Sequence, residues 1–213
     1  MEGTSQRSAL VTVVIGGDTG LVHLRLRPSA VSPRRFGADS IRELVFGIED
    51  GVVQNMTLIA GMVGASLSNQ IIVIAAAINA IAGVLSMSMG TYLSSKAERD
   101  VALAKSDESA EVGHRINGDS PLRDALVMAG AYTVGAVVPL LPFAFGIESR
   151  AMSMVAAVTL TALTLFGLGV GKAIVSEQRR IRSGTAMLAL ASVAGTAGYL
   201  IGIATRAVFG LEV

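Results

Sequence analysis

The 213-residue chain has no cysteine and no tryptophan, and only 15% of it is charged. Without cysteine there can be no disulfide framework and no cysteine-based zinc or iron–sulfur site. A net charge of +1 by itself argues nothing about nucleic acid, and none is expected as a partner. The chain also lacks a nucleophile–base set, a phosphate-binding P-loop and a metalloprotease motif, so it is not expected to be an enzyme. Gly167, Gly169 and Gly171 resemble a nucleotide loop in composition alone and are read as helix packing. His23 and His114 are isolated and are read as solvated side chains.

What the chain has instead is apolar length. Hydrophobic residues make up 52% of it and its mean hydropathy is +0.62, whereas a soluble domain is about 45–50% apolar and about 25% charged. Crossing a hydrocarbon core about 30 Å thick takes roughly 20 apolar residues in a helix. Four uncharged stretches meet that: 71–93, 125–147, 151–171 and 184–205. A fifth, 44–66, has the length but holds Glu49 and Asp50. The expected fold is therefore all-α, a polytopic membrane protein with five transmembrane helices. The spans fall at about 44–66, 69–93, 122–147, 151–173 and 184–207, with a linker over 94–121. Residues 39–213 form one membrane domain on this reading, and residues 1–38 a flexible tail. Within that tail, Leu10–Ile15 and Leu21–Leu26 flank a glycine-rich turn and suit a β-hairpin, which alone is marginal in water.

Basic residues collect on the cytoplasmic side of membrane proteins. Of the 17 here, six precede the first span, five lie between spans 2 and 3, and four between spans 4 and 5. Only Arg150 and Arg206 fall on the opposite side. The N-terminus is expected in the cytoplasm and the C-terminus outside. The tract 94–121 is then a cytoplasmic linker whose first half continues span 2 as a helix. No targeting signal is recognisable, because the apolar run Ala9–Ile15 is short and lacks a cleavage site. A prokaryotic plasma membrane is the expected location.

Ionisable groups inside a spanning helix cost about 2.5–3.5 kcal/mol each on insertion scales and normally face a bundle interior or a water-filled path. At about 100° per residue, Asp39, Glu43 and Asp50 fall within about 40° of one another, and Gln54 and Thr57 extend the stripe. Glu43 and Asp50 are two turns, about 10 Å, apart. Glu49 points about 100° away from Asp50. Two readings are open for Asp39: the entrance of a path, or an interfacial carboxylate paired with Arg35 or Arg42. Span 2 offers a facing stripe of Asn79, Gly83, Ser86 and Gly90, with Met87 at its edge. Met87 is either packing or a ligand. Carboxylates with a thioether would favour a first-row transition metal over Mg²⁺ or Ca²⁺, because sulfur is soft. Gly198 and Gly202 form a small-xxx-small pair suited to an interface, and Pro139 and Pro142 are expected to kink span 3.

The segment Ile41-Arg42-Glu43-Leu44-Val45-Phe46-Gly47-Ile48-Glu49-Asp50-Gly51, with Leu58-Ile59-Ala60-Gly61 after it, resembles the first helix of the vacuolar iron transporter (Ccc1-like) family. Ile81-Ala82-Gly83-Val84-Leu85-Ser86-Met87-Ser88-Met89-Gly90-Thr91-Tyr92-Leu93 resembles its second helix. The likeness implies a five-helix protomer that forms a homodimer, with span 1 lining a path at the interface. It implies export of Fe²⁺ or Mn²⁺ from the cytosol in exchange for protons, the ion being cargo rather than a bound cofactor. Carried over by position, Asp50 is the mid-membrane metal ligand, Met87 its thioether partner, Glu43 the carboxylate nearer the cytoplasm and Asp39 the entrance. Two departures stand out. Asn79 replaces a family glutamate, and the linker 94–121 replaces a longer glutamate-rich domain. Glu98, Glu108 and Glu111 in or beside it either capture metal or belong to a solvated connection. The alternative to transport is a membrane scaffold or sensor whose carboxylates bind metal structurally.

Overall fold

The computed structural model describes residues 38–105, 120–146, 149–177 and 179–210. The tail 1–37, most of the linker, and with them Glu108 and Glu111, lie outside the described residues. The helices are α1 Ala38–Gly64, α2 Asn69–Lys105, α3 Pro121–Ala144, α4 Arg150–Val175 and α5 Arg180–Phe209, and among the described residues there is no strand. This is the all-α polytopic class. Helices α2 to α5 are each long and apolar enough to cross a membrane. Even α3, with 24 residues, reaches about 36 Å at 1.5 Å per residue. The chain is an integral membrane protein.

Helix α1 has 27 residues, enough to cross, but Arg42, Glu43, Glu49 and Asp50 dilute its apolar character. The fold compensates by covering much of it: α1 packs on the four other described helices, most extensively on α3 and α5, and leaves Leu44, Phe46 and Gln54 exposed. Helix α3 is the other inner element. In its most apolar stretch 44% is buried, against 17%, 22% and 17% in α2, α4 and α5, so those three present most of their surface to lipid. The carboxylates of α1 are buried at Glu43 and half-buried at Glu49 and Asp50, as the cost of charge in lipid requires.

Close approach depends on small residues. Gly47 and Gly51 of α1 meet Ala131, Tyr132 and Ala136 of α3, and Gly135 of α3 meets the Ile48 backbone. Gly198 and Gly202 of α5 lie on Thr57 and Gly61 of α1, so this pair forms an interface inside the protomer. Of the three glycines near the end of α4, only Gly169 packs, against Gly184; Gly167 and Gly171 face open space.

The turns fix the order. After α1, Ser66 adopts a left-handed φ of 63°, and the N–H groups of Ser66 and Leu67 donate to Val63 and Met62, which satisfies the carbonyls at the helix end. Arg206 at the end of α5 donates to the Ser66 hydroxyl at 2.7 Å. At the other end α2 runs on to Lys105, about 18 Å past residue 93. The Ser95 hydroxyl donates to Asp124 in the first turn of α3 at 2.9 Å.

Candidate functional site

Along α1, Glu43 is only 8% exposed, Asp50 two turns on is partly buried, and Gln54 follows one turn later. Asp39 lies in the first turn of α1, and its side chain is outside the described residues. At mid-helix the polar groups of three helices join. The Tyr132 hydroxyl of α3 donates to Gln54 Oε1 at 2.6 Å. Gln54 Nε2 donates to Asn79 Oδ1 of α2 at 3.3 Å, and Asn79 Nδ2 donates to Asn55 Oδ1 at 3.2 Å. Asn55 Nδ2 completes the chain at the Ala136 carbonyl, at 2.7 Å. That carbonyl lies within one turn of Pro139.

Tyr132 is fully buried and its ring lies over Gly83 of α2, where a methyl group would overlap both the hydroxyl and the ring carbons. Asp50 lies within electrostatic reach of the same phenol. Tyr132, Gln54, Asn55 and Asn79 thus form one polar cluster where α1, α2 and α3 meet, with Asp50 one turn before Gln54 on α1. Tyr132→Phe is expected to cost about 1 kcal/mol, as for a single hydrogen bond in a membrane helix bundle. Gly83→Ala should cost more, because the ring as well as the hydroxyl must move. Thermal unfolding of the two variants in detergent checks the order.

Other residues of the predicted set fall elsewhere. Met87 is partly buried one turn beyond Gly83, while Ser86 and Gly90 are exposed. The Thr57 hydroxyl donates back to Val53 of its own helix at 2.7 Å and offers nothing to the stripe. Glu98 is exposed on the extension of α2. Glu49 turns away from the cluster into a separate cleft lined by Lys172, Arg179 and Arg182. Among the described residues no three Asp, Glu, His or Cys side chains converge on a common point.

Two members of the cluster were absent from the sequence reading. Asn55 sits one residue off the acidic stripe, and Tyr132 lies in an apolar run of α3. The signal available for Tyr132 was scarcity, since the chain has three tyrosines and this one falls in mid-span.

Fold and cluster together define a class: an integral membrane protein, with five helices among the described residues, that keeps carboxylates and linked amides where its helices meet. Residues 41–119 and 107–203 match the sequence model of the VIT family, and the chain belongs to that family. It is 34% identical over 133 residues to "Vacuolar iron transporter homolog 5" of Oryza sativa subsp. japonica, an alignment covering 61% of this chain and 64% of the rice protein. It is 30% identical over 157 residues to "Vacuolar iron transporter homolog 2" of Arabidopsis thaliana, covering 70% and 80%. Over 209 residues it is 25% identical to "Vacuolar iron transporter 1" of Eucalyptus grandis, covering 75% and 84%. The chain thus spans a little less than two thirds of the rice relative and most of the other two.

Proposed function

We propose that this protein transports a divalent first-row transition metal, Fe²⁺ or Mn²⁺, out of the cytosol. The observation that carries the reading is the packing of α1: a helix with two carboxylates on one face packs on the four other described helices of a membrane bundle, with Glu43 buried and Asp50 half-buried. The relatives named as iron transporters support the choice of cargo. In this reading the ion passes Asp39 and Glu43 and is held at Asp50, with Met87 as the sulfur ligand that disfavours Mg²⁺ and Ca²⁺. A homodimer formed on the face of α1 that carries the exposed Leu44, Phe46 and Gln54 would bring the α1 carboxylates of two copies to one path. The basic ends of the helices face the cytosol by the positive-inside rule, in a prokaryotic plasma membrane.

Proton exchange, if coupled, falls to Glu43 and Asp50. Asn79 carries no titratable proton, and its amide both donates and accepts within the cluster. The test is flux into liposomes holding the purified protein, with Fe²⁺, Mn²⁺, Co²⁺ and Mg²⁺ offered separately and a pH dye enclosed. Fe²⁺ and Mn²⁺ should enter and Mg²⁺ should not. A dye signal that tracks the metal establishes antiport, and a silent dye with intact flux establishes uncoupled movement. Absence of flux with every ion sinks the transport reading. One observation favours a second reading, a scaffold or sensor: the Gln54, Asn79 and Asn55 amides are engaged with one another, as in a structural brace. That reading predicts thermal stabilisation by metal without flux.

A further inference from the structure

Helices α4 and α5 are joined by four residues, 176–179. The Ser176 N–H and hydroxyl donate to the Lys172 carbonyl at 3.0 and 2.7 Å, and Glu177 takes a left-handed φ of 54°. One turn below, Gly169 packs against Gly184. Glu177 and Arg179 lie at an open cleft of about 700 Å³. Lys172, Arg179 and Arg182 stand around it, and all three are exposed. Its floor is one face of α5, formed by Ser183, Met187 and Leu190, which recur at the spacing of a single helix face. Over about 10 Å the lining therefore passes from three cations through one hydroxyl to bare hydrocarbon. Glu49 and Glu177 also line it, so the cations exceed the carboxylates by one.

That gradient, set at the level where a spanning helix leaves the membrane, has the polarity of a phospholipid. A phosphate would meet the cations, the ester region Ser183, and an acyl chain Met187 and Leu190. Free phosphate would use the upper half alone and leave the apolar floor uncovered. We propose that this cleft is a binding site for an anionic phospholipid of the leaflet at the basic end of the bundle. Basic pockets between membrane helices recognise such headgroups, each cation adding about fivefold in affinity. The proposal rests on the cleft and the membrane fold alone and stands or falls independently of what the protein transports. Because Glu49 lies in the cleft and is joined directly to Asp50, an occupied site touches α1 at the residue next to that carboxylate.

The test uses the full-length protein, stripped of lipid in detergent and titrated with phosphatidylglycerol or phosphatidylcholine, with bound lipid counted by native mass spectrometry. Phosphatidylglycerol should bind at least about tenfold more tightly than phosphatidylcholine. Arg179→Gln with Arg182→Gln should weaken it about 25-fold, with phosphatidylcholine binding and thermal midpoint unchanged. Lys172→Gln alone, at about fivefold, gives the same answer should the double variant fail to fold. Leu190→Asn should weaken the phospholipid while leaving competition by inorganic phosphate unaltered. Equal affinity for the two lipids, or full affinity in the charge variants, overturns the proposal. Displacement by inorganic phosphate at the affinity of the lipid overturns it in favour of a free-anion site.

Discussion

Asp50→Asn is expected to abolish Fe²⁺ and Mn²⁺ flux, by at least about 100-fold in initial rate, without loss of folded protein. The two side chains have the same shape, so the packing around position 50 is retained. What disappears is the charge. A divalent ion leaving water for the middle of a bundle must have its charge balanced nearby, because an uncompensated ion in a low-dielectric setting is costly, and an amide oxygen supplies only a dipole. The same substitution removes a carboxylate that costs about 2.5–3.5 kcal/mol to place in a membrane, so the variant should melt at or above the wild-type temperature. Loss of flux with gain of stability is the signature of a functional charge, whereas a structural charge would lose both. Glu49→Gln is the control, since that carboxylate faces the cleft beside Lys172 and Arg182, and it should keep its flux. Met87→Leu should retain flux and admit harder ions more readily, because the soft ligand is gone. Undiminished flux in Asp50→Asn would remove Asp50 from the path.

The helices were legible because spanning a bilayer demands unbroken apolar length, and run length is a local property. The run of span 2 on into the linker as a helix was legible as well, and α2 continues to Lys105, whereas α1 begins at Ala38, before its apolar run. The partition of the carboxylates was legible too. One residue is about 100° on a helix, and that sets Glu49 in a different surface from Asp50. The packing order was not. Spans 1 and 2, joined by a short turn, read as mutually facing, yet the principal partner of each is α3. That choice depends on Gly47 and Gly51 matching Ala131 and Gly135 across the bundle, a coincidence of small residues far apart in the chain. Tyr132 and Asn55 were hidden for the same reason, since a hydrogen bond between helices exists only once their register is set. Thr57 was assigned to the stripe by angle alone, but a helical threonine readily turns its hydroxyl to the carbonyl four residues back.

The largest loss of folded protein is expected at Gly135 and Gly202. A Cβ at Gly135 would lie 3.0 Å from both the carbonyl carbon and the Cα of Ile48, and one at Gly202 would lie 2.8 Å from the Gly61 carbonyl carbon and 3.0 Å from the Ala65 nitrogen. These are main-chain atoms, which cannot swing aside as a side-chain end can, so the helices themselves must part. Helix association in a membrane rests on close van der Waals contact rather than on a hydrophobic drive, and a gap of 0.5–1 Å forfeits a quarter to a half of each contact. Gly135→Ala and Gly202→Ala should each cost about 1–3 kcal/mol, and valine more. Gly90, Gly167 and Gly171 have nothing within 4 Å of an added Cβ. The same change there should be neutral, or stabilising by up to about 1 kcal/mol through helix propensity. Thermal midpoints and monodispersity of the five alanine variants measure this, and equal losses in both groups would refute the close-packing account. Gly51→Ala adds a link to function, because Gly51 follows Asp50 directly and its Cβ would lie 2.9 Å from the Ala136 nitrogen. Whatever fraction of that variant folds carries a displaced Asp50, and its flux per folded molecule should fall as well.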